Sequence, residues 1–201
     1  MWGFSFRFQV SGFMGFKQII LLVKGGWKDP KFRGIRDVFL FVVITLAIHY
    51  SYRFWAQDLQ YFPIKSQMAS FQDFMAQVVF DQSTWVDKDL LGIDLVKEER
   101  VMRFSNGSAI SINGSCSGDK QLLQLALLLL IFPGKWQYKL WFIPLGMILV
   151  HATNILRIVL LSLVAIWRPE WVESAHDTVL RGMFYVVIFG IWLLFIRVAK
   201  K

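Results

Sequence analysis

Hydrophobic residues in this chain fall into long blocks that are separated by polar segments. The clearest blocks are residues 38–54, 140–166 and 178–198, each near or above the length of a membrane-spanning helix. Residues 117–132 would extend about 24 Å as a helix, near the lower limit for crossing a bilayer. The pattern therefore predicts an all-α multi-pass membrane protein with four transmembrane helices, or five if residues 1–23 also cross.

The longest block leaves two conformations open. As a single helix, residues 140–166 would be about 40 Å long, which exceeds the thickness of the hydrocarbon core. The segment is therefore either one long tilted helix or two shorter pieces that are broken near Pro144 or His151.

The N-terminal region has a different pattern. Residues 1–23 are rich in phenylalanine but are interrupted by polar residues, which is typical of an interfacial helix lying on the bilayer. Residues 24–36 form a basic linker. We therefore predict a basic N-terminal segment over residues 1–36, a transmembrane domain over residues 37–198 and a short tail over residues 199–201.

One sizeable polar segment, residues 56–115, interrupts the transmembrane pattern. After Pro63, apolar residues recur at helical spacing and predict an amphipathic helix. Residues 101–104 and 108–112 flank an Asn-Gly turn and predict a β-hairpin. The segment is thus predicted to be a small helix-plus-hairpin insertion, whose second strand leads directly to Cys116.

Composition supports a membrane protein and explains the net charge. Hydrophobic residues make up 56% of the chain and aromatic residues 16%, which is unusual for a soluble domain. A formal net charge of +8 would suit nucleic acid binding in a soluble protein, but in a membrane protein basic residues mark cytoplasmic flanks. We therefore predict a lipid bilayer and no nucleic acid as partner.

Basic residues assign the orientation of the spans. Twelve of the 22 Lys and Arg residues lie in residues 1–36, 133–139 and 197–201, whereas six lie in residues 56–115 and 167–177. By the positive-inside rule, both termini are predicted to be cytoplasmic. The polar insertion and the loop before the last span are then predicted to face the extracytoplasmic side.

Cys116 is the only cysteine of the chain and lies in a turn of small residues, Asn113 to Gly118. One cysteine excludes an intrachain disulfide, a Cys-x-x-Cys redox pair and a thiolate zinc cluster. A free cysteine is most often a small buried hydrophobic residue. A thiol at the start of a helix can instead be a nucleophile, because the helix dipole stabilises its thiolate.

Arg157 lies within the third predicted span, where a guanidinium costs about 3 kcal/mol to insert and is a functional candidate by default. Asn154 lies one helical turn earlier on the same face and can accept a hydrogen bond from the guanidinium. The alternative role for Arg157 is structural, through snorkelling to lipid headgroups or pairing with a carboxylate.

Two histidines compete for the role of acid–base residue. His176 lies before the last predicted span and is therefore predicted to share the outer layer of Cys116 and Arg157. His151 lies deeper in the third span, where its alternative role is that of a core histidine. A thiolate nucleophile, a proton-carrying histidine and an arginine that stabilises an oxyanion make chemical sense as a peptidase site. No metal or cofactor is predicted.

The order of these residues resembles the exosortase/archaeosortase family of membrane transpeptidases. The resemblance covers about residues 100–198. The chain is similar to the short single-domain bacterial members of the family. The matching motifs are Cys116-Ser117-Gly118 opening one span, Asn154-Ile155-Leu156-Arg157-Ile158 in the next span, and His176 before the last. Full-length family members have more spans than are predicted here.

The resemblance implies a cysteine peptidase/transpeptidase of the bacterial inner membrane that acts at the extracytoplasmic face. Its substrates would be exported proteins with a C-terminal sorting signal, composed of a Pro-Glu-Pro-like motif, a hydrophobic helix and a basic tail. Cys116 would be the nucleophile, Arg157 the oxyanion stabiliser and His176 the general acid–base. A thioester would then pass to an acceptor amine or to water.

Asn154, Ser117 and Gly118 are predicted to be supporting residues, and His151 is the alternative acid–base residue. A non-enzymatic membrane assembly factor or transporter subunit is the alternative from a different functional class. A third hypothesis is a membrane acyltransferase that uses the thiol.

Overall fold

The computed structural model describes residues 33–199, and every structural statement below concerns those residues. The predicted interfacial helix over residues 1–23 lies outside them. The chain divides into two units between Val43 and Ile44, and the site described below lies wholly within the second unit.

Long apolar helices dominate the structure, as the hydrophobic blocks predict. Within residues 33–199, three helices are long and apolar enough to cross a membrane: α1 (Arg33–Gln57), α4 (Trp136–Trp167) and α6 (Leu180–Ala199). The shortest predicted span, residues 117–132, corresponds to helix α3, Asp119–Ile131, which has 13 residues. At 1.5 Å per residue α3 is about 20 Å long, shorter than the hydrocarbon core. The three long apolar helices are consistent with a multi-pass membrane protein, whereas α3 is too short to be counted with them.

Helix α4 is continuous, which decides between the two conformations that the sequence left open. It has 32 residues and includes Pro144 without a break. At about 48 Å, it exceeds the thickness of the hydrocarbon core by roughly 18 Å. The helix therefore has more length than a single crossing needs.

The polar insertion begins with the predicted amphipathic helix. This helix, α2, spans Lys65–Trp85 and continues into a π-helical turn, Val86–Leu90. Its buried residues include Ala76, Val79 and Phe80, which lie at helical spacing. The prediction of a helix after Pro63 is therefore confirmed.

The sheet of the insertion contains three antiparallel strands within the described residues, in the order β1 (Leu95–Glu98), β2 (Val101–Phe104) and β3 (Ala109–Ser111). The predicted hairpin corresponds to β2 and β3, whereas β1 was not predicted. Met102 of β2 pairs with Ile110 of β3, and both are buried. Their shared face follows from the twofold side-chain period of a strand.

A single apolar cluster joins this insertion to the second half of α4. The cluster contains side chains from the sheet, from α2 and from α4, and its members include Met102, Phe80, Ile158 and Leu161. Full burial of a side chain such as Met102 contributes about 1.5–3 kcal/mol. The insertion is therefore fixed against α4 at the level of Arg157.

Helices α3, α4 and α6 pack closely at the opposite end of α4. A Cβ atom added to Gly146 of α4 would lie 2.6 Å from Leu125 Cδ2 of α3, so glycine permits the close approach of the two helices. The ring of Trp192 in α6 is fully buried and meets Phe132 edge-on, with 5.4 Å between ring centroids.

Connecting segments complete the described chain. A 3₁₀ turn, Gly114–Cys116, lies between β3 and α3. After α4 come a 3₁₀ turn, Pro169–Trp171, the short helix α5, Val172–Ser174, and a π-helical turn, Ala175–Val179.

Candidate active site

The cysteine turn is built by local hydrogen bonds between β3 and α3. Asn113 Oδ1 accepts from the Ser115 backbone N–H at 3.0 Å and from Ser115 Oγ at 2.6 Å. The Cys116 N–H donates to the Asn113 carbonyl at 2.8 Å. Gly118 then adopts a φ of +77° and forms the N-cap of α3. The turn is thus the joint between strand and helix that the sequence predicts.

Cys116 is a free cysteine that is only 7% exposed. It belongs to the apolar cluster that also contains Ile112, Ile158 and Leu180. The thiol therefore lies where the insertion, α4 and the start of α6 meet. This placement is also what the alternative interpretation, a packed cysteine, predicts. Whether the Cys116 thiol can react therefore depends on the polar groups around it.

Asn154 connects the cysteine turn to α4. It is 1% exposed, and its Nδ2 donates to the Cys116 carbonyl at 2.8 Å. A Cβ atom on Gly118 would lie 3.0 Å from the same Nδ2. Gly118 is therefore needed both for its positive φ and for the close approach of the Asn154 amide.

Arg157 contacts two of the predicted site residues, Asn154 and His176. Its Nη1 lies 3.4 Å from Asn154 Oδ1, and its Nη2 lies 2.8 Å from His176 Nε2. Because a guanidinium can only donate, His176 Nε2 must be the acceptor. In this arrangement His176 is neutral and carries its proton on Nδ1. The guanidinium is 5.9 Å from the ring centroid of Phe184 in α6.

A continuous series of hydrogen bonds therefore runs from the Cys116 carbonyl through Asn154 and Arg157 to His176. These residues come from the cysteine turn, from α4 and from the π-helical turn before α6. Such π-helical turns often occur at functional sites. We name this series the Cys–His polar chain.

The structure separates the two histidines that compete in the sequence. His151 Nε2 lies 2.8 Å from Gln82 Oε1 of α2 and takes no part in the hydrogen bonds of the Cys–His polar chain. His176 contacts Arg157 directly. Ser117, predicted as a supporting residue, directs its Oγ to Asp119 Oδ1 at 2.7 Å.

Sequence reasoning missed a buried acid next to the turn. Asp119, the first residue of α3, is 8% exposed and accepts from Tyr52, Gln72 and Ser117. The available signal was an acidic residue directly after the cysteine turn and before an almost wholly apolar run. Its partners Tyr52 and Gln72 are distant in sequence, so only the tertiary structure identifies them.

A second buried acid, Asp87, lies in the π-helical turn after α2 and is fully inaccessible to solvent. Neither carboxylate oxygen accepts a hydrogen bond of ordinary geometry from the described residues. Burial raises the pKa of Asp87 to about 6, and the nearby hydroxyl of Ser162 opposes this rise. That hydroxyl donates to the Ile158 carbonyl, so its effect on the carboxylate is partial.

Among residues 33–199, no group of three or more His, Cys, Asp or Glu side chains is arranged to hold a metal ion.

The sequence was compared with curated proteins, solved structures and protein-family models, and only a family model matched. No curated protein and no solved structure gave a significant match. Residues 38–196 match the family model described as transmembrane exosortase. This range covers most of the chain and contains the cysteine turn, Asn154, Arg157 and His176. The protein therefore belongs to the transmembrane exosortase family.

Proposed function

We propose that this protein is a membrane-embedded cysteine peptidase/transpeptidase that removes C-terminal sorting signals from exported proteins. The observation that carries this proposal is the Cys–His polar chain, in which the backbone of the only cysteine is joined to a buried arginine and a histidine. Membership of the exosortase family supports a sorting role in the membrane.

The proposed reaction begins with proton transfer from the Cys116 thiol to His176. The thiolate attacks the scissile carbonyl and forms a C–S bond, and the carbonyl oxygen becomes an oxyanion. Arg157 stabilises this oxyanion, since a fixed charge acts strongly in a site from which water is excluded. His176 then returns its proton to the leaving amine, the C–N bond breaks, and a thioester remains on Cys116.

The second half of the proposed reaction resolves the thioester. An acceptor amine or water attacks the thioester carbonyl, and His176 accepts its proton. The C–S bond breaks, and the thiolate of Cys116 is regenerated and reprotonated. The product is a sorted protein that is joined to the acceptor, or a hydrolysed one.

Arg157 and His176 must rearrange for this mechanism to operate. In the described state the lone pair of His176 Nε2 accepts a hydrogen bond from Arg157 and is not available for the thiol proton. We infer that the substrate carbonyl attracts the guanidinium away from the ring. This movement would free Nε2 to accept the proton as the oxyanion forms.

The proposed location is the bacterial inner membrane, with both termini in the cytoplasm and the site on the extracytoplasmic side. Support comes from the excess of Lys and Arg in residues 1–36, 133–139 and 197–201. The polar insertion, residues 56–115, packs against the second half of α4 and would lie on the same outer side.

Substitution of Cys116 tests the proposal. Membrane and exported proteins from cells with the wild-type protein or Cys116→Ala are compared by mass spectrometry of their C-terminal peptides. We expect a set of exported proteins to keep an apolar C-terminal helix only in the Cys116→Ala cells. Ser111→Ala is the matched control, because Ser111 is exposed on β3 and lies outside the cysteine turn.

The same assay distinguishes the two histidines and the alternative functional class. His176→Gln should abolish processing and His151→Gln should retain it, because only His176 contacts Arg157. Unchanged C-terminal processing in Cys116→Ala cells would contradict the peptidase and favour a non-enzymatic membrane subunit.

A further inference from the structure

We propose that Asp119 is a positioning residue that fixes the cysteine turn to α1 and α2. The inference rests on the proposed function, in which Cys116 is the nucleophile. It adds a residue outside the Cys–His polar chain and assigns a purpose to the buried acid that follows the turn.

The carboxylate of Asp119 is held by side chains from different elements. Its Oδ2 accepts from Tyr52 Oη of α1 at 2.5 Å and from Gln72 Nε2 of α2 at 3.0 Å. Its Oδ1 accepts from Ser117 Oγ at 2.7 Å. Ser117 directly follows Cys116, so the acid connects the nucleophile turn to two separate helices.

A second tyrosine closes this network. Tyr52 gives its only hydroxyl proton to Asp119, so Tyr61 must be the donor in the 3.3 Å contact between the two hydroxyl groups. Gln72 Nε2 also donates to Tyr61 Oη at 3.1 Å. Each hydrogen bond in the group therefore has a defined donor and acceptor. The successive donations end at the Asp119 carboxylate.

The direction of these bonds explains why the residue is an acid. All three contacts to the carboxylate come from donors, and an ionised carboxylate can only accept. An amide at this position would present an N–H₂ group to at least one donor. The position also suits a negative charge because it is the first residue of α3, where the helix dipole is positive.

Asp119 and Asn154 hold the turn from its two sides. Asn154 fixes the carbonyl of Cys116, and Asp119 fixes the hydroxyl of Ser117, the next residue. Gln72 also packs on the turn, because a Cβ atom on Gly114 would lie 3.4 Å from the Gln72 Cβ. The backbone around the thiol is thereby restrained before and after Cys116.

The experiment measures the reactivity of Cys116 in the purified full-length protein with N-ethylmaleimide. Asp119→Asn and Tyr52→Phe each remove part of the network with little change in shape. We expect each variant to accelerate alkylation of the buried thiol about fivefold to tenfold, as expected for losing one buried hydrogen bond that opposes local opening. The double variant should be less than additive, because both residues act through one contact.

Two controls distinguish a positioning role of Asp119 from a general loss of protein stability. Asp73→Asn removes a neighbouring acid on α2 that forms an exposed ion pair with Arg100, and it should leave the alkylation rate unchanged. A reporter cysteine at the buried position Ser83, placed in a Cys116→Ser background, measures opening elsewhere. Asp119→Asn should leave the reporter rate within about twofold of its background.

Equal acceleration at Cys116 and at the reporter would overturn the proposal in favour of a general role in stability. An unchanged rate at Cys116 in both Asp119→Asn and Tyr52→Phe would overturn it as well. The assay needs no peptidase substrate, so its outcome is independent of whether Cys116→Ala abolishes C-terminal processing.

Discussion

At the scale of residues, Asn154 shows why the connection between Cys116 and Arg157 uses an amide. Its Nδ2 donates to the Cys116 carbonyl while its Oδ1 faces the Arg157 guanidinium. An amide offers a donor and an acceptor together, whereas a carboxylate only accepts. The motif order Asn-x-x-Arg follows from the helix, because residues three apart lie on one face.

Arg157→Lys should lower the rate of C-terminal processing by about tenfold or more. Lysine keeps the charge but has no planar fork with which to contact both Asn154 and His176. Processing is measured in cells by C-terminal mass spectrometry, with protein levels checked in the membrane fraction. Full activity of Arg157→Lys would mean that the residue acts as a bare charge or not at all.

Gly118→Ala should lower both stability and processing. A left-handed φ costs a non-glycine residue about 1–2 kcal/mol, and the new Cβ would also press on Asn154 Nδ2 at 3.0 Å. Gly107→Ala is the matched control, since its φ is +85° but nothing lies within 4 Å of the added Cβ. Thermal unfolding in detergent should show a loss in both variants, and processing should fall only in Gly118→Ala. Equal processing in the two would contradict the role of the Asn154 contact.

At the scale of elements, local pattern predicted most helices and two of the three described strands. Strand β1, Leu95–Glu98, was missed because its short sequence ends in charged residues and shows no clear alternation. It forms by pairing with β2, in the register Leu95 with Phe104. A strand defined by its partner has a weak local signal, since packing against neighbours decides strand formation.

The π-helical turn after α2 gives a prediction for pH dependence. The pKa of Asp87 is raised to about 6 in the folded protein, above the usual value of 3.8. The folded state therefore binds more protons than the unfolded state between these values, and stability falls as pH rises from about 4 to 6. Asp87→Asn should lack this loss of stability. The melting temperature of Asp87→Asn minus that of wild type should therefore increase as pH rises from about 4 to 6.

Thermal unfolding at several pH values in detergent measures this difference. Asp89→Asn is a suitable control because Asp89 is an exposed acid in the same turn. An identical pH dependence in Asp87→Asn and wild type would show that Asp87 does not titrate in this range.

At the scale of the whole molecule, the orientation in the membrane is the prediction with the widest consequences. Residues outside the buried site report it best, because Cys116 is only 7% exposed and burial is expected to slow its alkylation from either side of the membrane. Ser105 in the insertion and Lys135 in the turn between α3 and α4 are both exposed. Positive-inside orientation puts them on opposite sides of the membrane.

Cysteines introduced at Ser105 and at Lys135, each in a Cys116→Ser background, test that orientation. A membrane-impermeant maleimide should label Ser105→Cys in intact spheroplasts and Lys135→Cys only after permeabilisation. The reverse pattern would invert the topology and move the proposed active site to the cytoplasmic side.

The sequence by itself determined the membrane class, the long helices, and the identities of Cys116, Asn154, Arg157 and His176 as candidates. These features depend on block hydrophobicity and on residue order, which are local properties of the chain. The resemblance to the family also rests on this order, and the match over residues 38–196 confirmed membership of the family.

Only the tertiary structure decided which polar groups meet. It brought His176 and not His151 to Arg157, and it gave Asp119 its partners Tyr52 and Gln72. It also showed that α3 is shorter than a full span. The physical reason is that hydrogen bonds between distant residues depend on how helices pack and end, and the hydrophobic pattern of one segment carries no information about its neighbours.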